Sequence, residues 1–212
     1  MRIQLFSELA LLLILSSPDM YSTLLSIAAL AIGALAAPGS SHLEARAPRR
    51  TTPFMSLIKT SVNCMIMPRD AHTNIGDSEH PGGMKTYCSS SGRYDNSQGK
   101  LPDNFWSNIA FASGTSSRGA RYAQLTGCIR PETLSRLNPD DGGGQYDSSG
   151  GDGGQGNPQG SVCLGYNHYV ELVEPAEKRA CIKCCDNYDD CPLDKDTSGC
   201  PAVIPGNYFN CG

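Results

Sequence analysis

Tyr166-Asn167-His168-Tyr169-Val170-Glu171-Leu172-Val173 runs directly into Glu174-Pro175-Ala176-Glu177-Lys178-Arg179 and then into Ala180-Cys181-Ile182-Lys183. In the first run Val170 and Leu172 alternate with Tyr169, Glu171 and Val173, so β-branched and aromatic residues occupy both faces. Such a strand belongs inside a sheet, covered on both sides. The polar, proline-containing stretch reads as a turn. The third run is then a returning strand that carries Cys181 into the core, and the hairpin so formed anchors the domain.

Upstream, Phe105 to Ala112 and Tyr122 to Leu125 are further apolar segments, the first holding the chain's single tryptophan, Trp106. Pro131-Glu132-Thr133-Leu134-Ser135-Arg136-Leu137 reads as a short helix, with proline at its first position and an acid in its first turn. Between that helix and the hairpin, Asp140 to Gly160 contains nine glycines in twenty-one residues. Glycine loses the most backbone freedom on ordering, so this stretch is expected to be a surface loop. The fold class that follows is mostly β: a small disulfide-rich single domain with long loops and little helix, with a barrel-like closure among its open forms.

Cross-links are needed because apolar residues are sparse and scattered among Gly, Ser, Asn, Asp and Pro. All ten cysteines, Cys64, Cys88, Cys128, Cys163, Cys181, Cys184, Cys185, Cys191, Cys200 and Cys211, lie in the expected domain over residues 51–212. Ten permits five bridges, each contributing about 2–4 kcal/mol. Cys181-x-x-Cys184-Cys185 has no matching second pair at zinc-finger spacing, so disulfides are expected rather than a metal site. Adjacent Cys184 and Cys185 cannot easily bridge each other and should reach different partners. The connectivity is otherwise open among about 945 pairings.

The N-terminus supplies the compartment. Leu9 to Leu15 and Leu24 to Ala36 are apolar, but Pro18 and Asp19 interrupt them, against one membrane span. Ala34-Leu35-Ala36 fits a signal-peptidase site, so residues 1–36 read as a signal peptide, with Met20 as an alternative start. Residues 37–50 read as a pro-segment ending at the dibasic pair Arg49-Arg50. The expected product is secreted and extracellular, with no stable membrane span after processing. Residues 51–139 carry a small basic excess and residues 140–212 are acidic, and a net charge of −4 argues against nucleic acid as partner.

Candidate chemistry is thin. Gly92-Arg93-Tyr94-Asp95-Asn96-Ser97 and Gly144-Gln145-Tyr146-Asp147-Ser148-Ser149 align as a faint repeat, each a tyrosine followed by an Asx-type turn. If the halves were related by a pseudo-two-fold, as in double-psi β-barrels, Asp95 and Asp147 could flank a glycosidic bond as acid and base. Tyr94, Tyr146 and Trp106 would then stack against sugar rings. Asp70, His72, Asp77, Glu79 and His80 gather ligand-type side chains without helical metal spacing, and read as a polar loop. Asp194-Lys195-Asp196-Thr197-Ser198-Gly199 is half an EF-hand loop, with Pro205 where the bidentate glutamate belongs. His168 belongs to the strand and is tied to no serine by a Gly-x-Ser-x-Gly elbow. No metal or cofactor is expected.

The block Gly143-Gly144-Gln145-Tyr146-Asp147-Ser148-Ser149-Gly150-Gly151, the strand Tyr169 to Pro175, and the tail from Arg179 through Cys185, Cys191-Pro192 and Gly199-Cys200-Pro201 to Gly206 resemble small secreted cysteine-rich proteins of fungi. That group has no assigned reaction, so the resemblance implies secretion and a disulfide-rich fold and no catalytic residue. Three function classes stand open. The first is a non-enzymatic structural or interaction protein, cell-wall-associated or effector-like, with cell-wall polysaccharide or an extracellular protein as partner. The others are a carbohydrate-binding module using Trp106, Tyr94 and Tyr146, and an endoglycanase-like hydrolase using Asp95 and Asp147.

Overall fold

The hairpin forms where its residues require it. Strand β9 (His168–Glu174) pairs antiparallel with β10 (Arg179–Cys185) through a turn closed by the Lys178 N–H donating to the Pro175 carbonyl at 2.9 Å. The computed structural model describes residues 54–56, 59–149, 161–195 and 197–212. The expected signal peptide, the pro-segment with Arg49-Arg50, and residues 150–160 of the glycine-rich stretch lie outside the described residues.

Around the hairpin lies a five-stranded antiparallel sheet in the order β5 (Trp106–Thr115), β6 (Arg121–Ile129), β10, β9, β7 (Gly144–Asp147). A smaller sheet joins β2 (Cys64–Pro68) to β3 (Met84–Cys88) and β4 (Gly99–Lys100). Strand β1 (Phe54–Ser56) runs parallel to β8 (Ser161–Cys163). The domain is mostly β, small and disulfide-rich, as its composition requires. It is not a closed barrel: the larger sheet ends at β5 and β7.

Strand alternation sorts the core into two layers. Tyr169 and Val173 of β9, Ala180 and Ile182 of β10, and Leu125 and Ile129 of β6 face the small sheet and pack with Met65, Met67, Met84 and Phe105. Val170, Leu172, Cys181 and Cys185 face the other way, against Cys191, Cys200, Val203 and Ile204 of the C-terminal tail. Both faces of β9 are therefore covered, one by a sheet and one by irregular chain.

Alternation also settles the bridges. Cys184 points to the small-sheet side and bonds Cys163, while its neighbour Cys185 points to the tail side and bonds Cys191. The others are Cys64–Cys88, Cys128–Cys211 and Cys181–Cys200. No cysteine is free. Three of the five bridges fasten the tail to the back of the sheet. Along β6 the attachment continues as a side-chain ladder. Gln124 donates to the Pro205 carbonyl, Thr126 donates to that of Asn207, both at 2.8 Å, and Cys128 closes the row through its bridge. These residues are two apart, hence on one face. Gly206 lies so close that an added Cβ would stand 2.8 Å from Thr126 Cγ2.

Two sequence expectations are corrected. Pro131 to Leu137 is not a helix beyond a single 3-10 turn over Pro131–Thr133. Leu134 and Leu137 are both buried, and one short turn cannot offset helix nucleation when packing holds its residues elsewhere. Within Asp140 to Gly160, residues 144–147 are the edge strand β7 rather than loop. Burial of Gln145, Tyr146 and Asp147 against β9 outweighs the glycine entropy. Gly143 serves the approach: its φ is +101°, and a Cβ there would meet the Val173 carbonyl oxygen at 2.2 Å.

Candidate functional site: the Trp106 groove

Trp106 opens β5 at a register irregularity between Trp106 and Asn108 in the pairing with β6. Bulges of this kind re-aim a side chain. The indole is half-buried and packs edge-on against fully buried Phe105, with ring centroids 5.7 Å apart. Its Nε1–H donates to Asn63 Oδ1 at 3.2 Å. Asn63 is buried and held in turn, donating from Nδ2 to the Thr60 carbonyl and from its backbone N–H to Ser89 Oγ. The Ser89 N–H donates back to the Asn63 carbonyl at 2.8 Å. The ring is thus fixed before any ligand arrives.

The groove beside it measures about 330 Å³. Leu101, Pro102, Ile109 and the indole contribute apolar lining, and Thr60, Ser61 and Ser89 to Ser91 contribute hydroxyl-bearing lining, with the Ser89 and Ser91 hydroxyls donating to the Ser61 carbonyl. Ser90 Oγ donates to Asp103 Oδ1 at 3.0 Å. Among the described residues lining it, Asp103 is the only ionisable one. An apolar plate bordered by hydroxyls suits a ring with one C–H face and several hydroxyl groups.

The two Tyr-Asp sequences do form Asx turns. Asp95 Oδ1 accepts from the Ser97 N–H and Asp147 Oδ1 from the Ser149 N–H, each at 2.6 Å. Their settings differ. Asp147 ends β7 in the large sheet and is buried, also accepting from Gln145 Nε2 at 3.2 Å. Asp95 lies in the loop before β4, where hydrogen bonds from the Ser97 hydroxyl and backbone hold its carboxyl below the ordinary range. A group so held stays ionised, the reverse of what a general acid needs. Asp147 lines a separate cleft of about 700 Å³ with Arg118, Asp189 and Asp194, and Asp95 is not among its walls.

Nor do the aromatics assemble as one platform. Tyr146 has 0% exposure and its hydroxyl meets Ser78 Oγ at 2.7 Å, so it presents no ring face to a ligand. Tyr94 is 44% exposed on the loop that continues from Ser91, outside the groove walls. Of these three aromatics, Trp106 alone is among the described residues that line the groove. Its partners Asn63 and Ser89 escaped the sequence because they become neighbours only through the bridge: Asn63 precedes Cys64, Ser89 follows Cys88, and antiparallel pairing sets them opposite each other. The run Ser89-Ser90-Ser91 was the available signal.

Fold and bridges define a small disulfide-rich β domain, and five disulfides fit a protein of the extracellular, secreted type, because such bridges persist in oxidising compartments. Among the described residues no helix is long and apolar enough to cross a membrane. Comparison of the chain with protein-family models, curated proteins and solved structures finds no match.

Proposed function

We propose that the protein is a secreted, non-enzymatic interaction module of the cell exterior, wall-associated or effector-like, whose contact site is the Trp106 groove and whose partner is a neutral saccharide unit of a cell-wall polysaccharide. The observation that carries this reading is the anchored indole bordered by serine and threonine hydroxyls. Among the described lining residues none is cationic and Asp103 is anionic, which disfavours a sulfated or uronic polymer. The resemblance to small secreted cysteine-rich fungal proteins supports secretion and a disulfide-rich fold and assigns no activity.

The hydrolase reading is less well supported. Asp95 is held ionised and Asp147 is occupied within its own turn. A pull-down of the oxidised protein on insoluble chitin, glucan and cellulose, followed by a reducing-sugar assay, separates the alternatives. Retention on a polysaccharide without sugar release is expected. Sugar release abolished by Asp95→Asn would restore the enzyme, and no retention on any of the three would point to a protein partner.

A further inference from the structure

Strand β4 runs on into the groove wall through Leu101-Pro102-Asp103-Asn104-Phe105. The Leu101 N–H donates to the Cys88 carbonyl at 2.7 Å and the Phe105 N–H to the Pro102 carbonyl at 2.9 Å. Leu101 and Phe105 are buried, so the turn that carries Asp103 is pinned at both ends. The Asp103 carboxylate is exposed yet held from two sides. Ser90 Oγ donates to Oδ1 at 3.0 Å, and Lys100 Nζ stands 3.4 Å from the same oxygen. Among the described residues nothing donates to Oδ2. Lys100 already answers the negative charge, so the site does not call for a cationic ligand.

The other side chains of the lining have largely spent their protons inward. The Trp106 Nε1–H goes to Asn63 Oδ1, Asn63 Nδ2 donates to the Thr60 carbonyl, and the Ser89 and Ser91 hydroxyls donate to the Ser61 carbonyl. Ser89 Oγ also accepts from the backbone N–H groups of Asn63 and Gly92, at 3.1 and 3.2 Å, which exhausts its capacity. Ser90 and Ser91 are exposed, and each keeps lone pairs after donating its proton. Of the hydroxyls among the described lining residues, only those of Thr60 and Ser61 make no bond and can turn to donate.

Given the groove as a saccharide site, on which this rests, we infer that its side chains select a ligand by accepting hydroxyl protons, with Asp103 Oδ2 as the principal acceptor. The ligand class is then an unsubstituted hexose unit, as in glucan or cellulose, rather than one whose hydroxyls are etherified or esterified. A hydroxyl donating to a carboxylate makes a charge-assisted bond, roughly twice as strong as a neutral one. An ether or ester oxygen has lone pairs alone, and these would face the lone pairs of Asp103, Ser90 and Ser91. The indole, its own donor spent, offers a ring face to the C–H face of the sugar. Trp106 thus sets the plane of the sugar ring, and Asp103 sets which edge of it meets the rim.

The test is a titration of Trp106 emission in the oxidised protein with methyl β-glucoside and with its monofluorinated analogues, one for each hydroxyl. Fluorine is close to a hydroxyl in size and cannot donate. The expected result is a saturable response to the glucoside and a loss of affinity of about tenfold or more for fluorine in at least one position. Asp103→Asn should weaken glucoside binding by a similar factor and no longer distinguish those analogues. Its side chain is 81% exposed, so the variant should unfold at the parent's midpoint. Analogues bound as tightly as the glucoside, or an Asp103→Asn variant that keeps the parent's pattern, would overturn the acceptor role. Polysaccharide retention with no response to the glucoside would also overturn it and leave the groove assignment standing, whereas loss of all retention and all response would withdraw both.

Discussion

The backbone N–H of Ile66 on β2 donates to both carboxyl oxygens of Glu171 on β9, at 2.9 and 3.1 Å, and so ties the small sheet to the large one across 105 residues of sequence. Glu171 has 0% exposure. Burial pushes its pKa well above the ordinary 4.5, against a smaller lowering by the Ile66 N–H.

The sign of the pH effect follows. Below the unfolded-state pKa both states carry the proton and the contact contributes fully. As pH rises past that value the unfolded chain releases the proton while the folded one retains it, and stability falls until the folded pKa is reached. Each pH unit within that window removes about 1.4 kcal/mol. Glu171→Gln keeps an acceptor for Ile66 and cannot ionise. Its urea midpoint should match the parent at pH 3 to 4 and exceed it at pH 7 to 8. A constant difference across the range would exclude ionisation as the cause.

Gly206 allows the tail backbone to lie on Thr126 and Gln124. In Gly206→Ala the added methyl must displace the Thr126 hydroxyl or lift the tail, at a cost of about 1–3 kcal/mol. Hydrogen exchange should quicken at residues 206–209 ahead of β9 and β10. Uniform loss of protection over the sheet would mean that the tail is not a separate layer.

Cys128–Cys211 closes the longest loop of the five bridges, with a sequence separation of 83. Replacing both cysteines with alanine should lower stability by about 2–4 kcal/mol. Partial digestion should then release the tail beyond Asn207 while the hairpin stays intact. No change in proteolysis would show that the Gln124 and Thr126 ladder suffices.

Peptide mapping without reduction should return Cys163 joined to Cys184 and Cys185 joined to Cys191. The opposite assignment would require two successive side chains of β10 to exchange faces, which strand geometry forbids without a one-residue register slip. Finding it would overturn the register of the central sheet.

The hairpin, its two covered faces and the divergence of Cys184 from Cys185 were legible in the sequence because each rests on local alternation. The Asx turns at Asp95 and Asp147 were legible for the same reason: the carboxylate reaches its own chain two residues on. What local pattern cannot carry is pairing at a distance. β2 was not anticipated, since Met65, Ile66 and Met67 form a continuous buried run with no alternation, and β3 was not, since its alternation places polar Thr86 on the buried face beside Met84 and Cys88. The Asn63 and Ser89 pair beside Trp106 depended on one bridge among many possible ones. Tyr94 and Tyr146 look alike in sequence, yet one is exposed on a loop and the other sealed in the core by β9 and Ser78.

Trp106 is the only tryptophan of the chain, so its emission reports on the groove alone. Titrating the oxidised protein with neutral oligosaccharides released from chitin, β-glucan and cellulose should shift or quench that emission saturably with at least one of them. Trp106→Phe should weaken retention on the corresponding polymer at least tenfold while the five bridges stay intact. Emission unaltered by every sugar, together with undiminished polymer retention by Trp106→Phe, would contradict the assignment of the groove as the binding site.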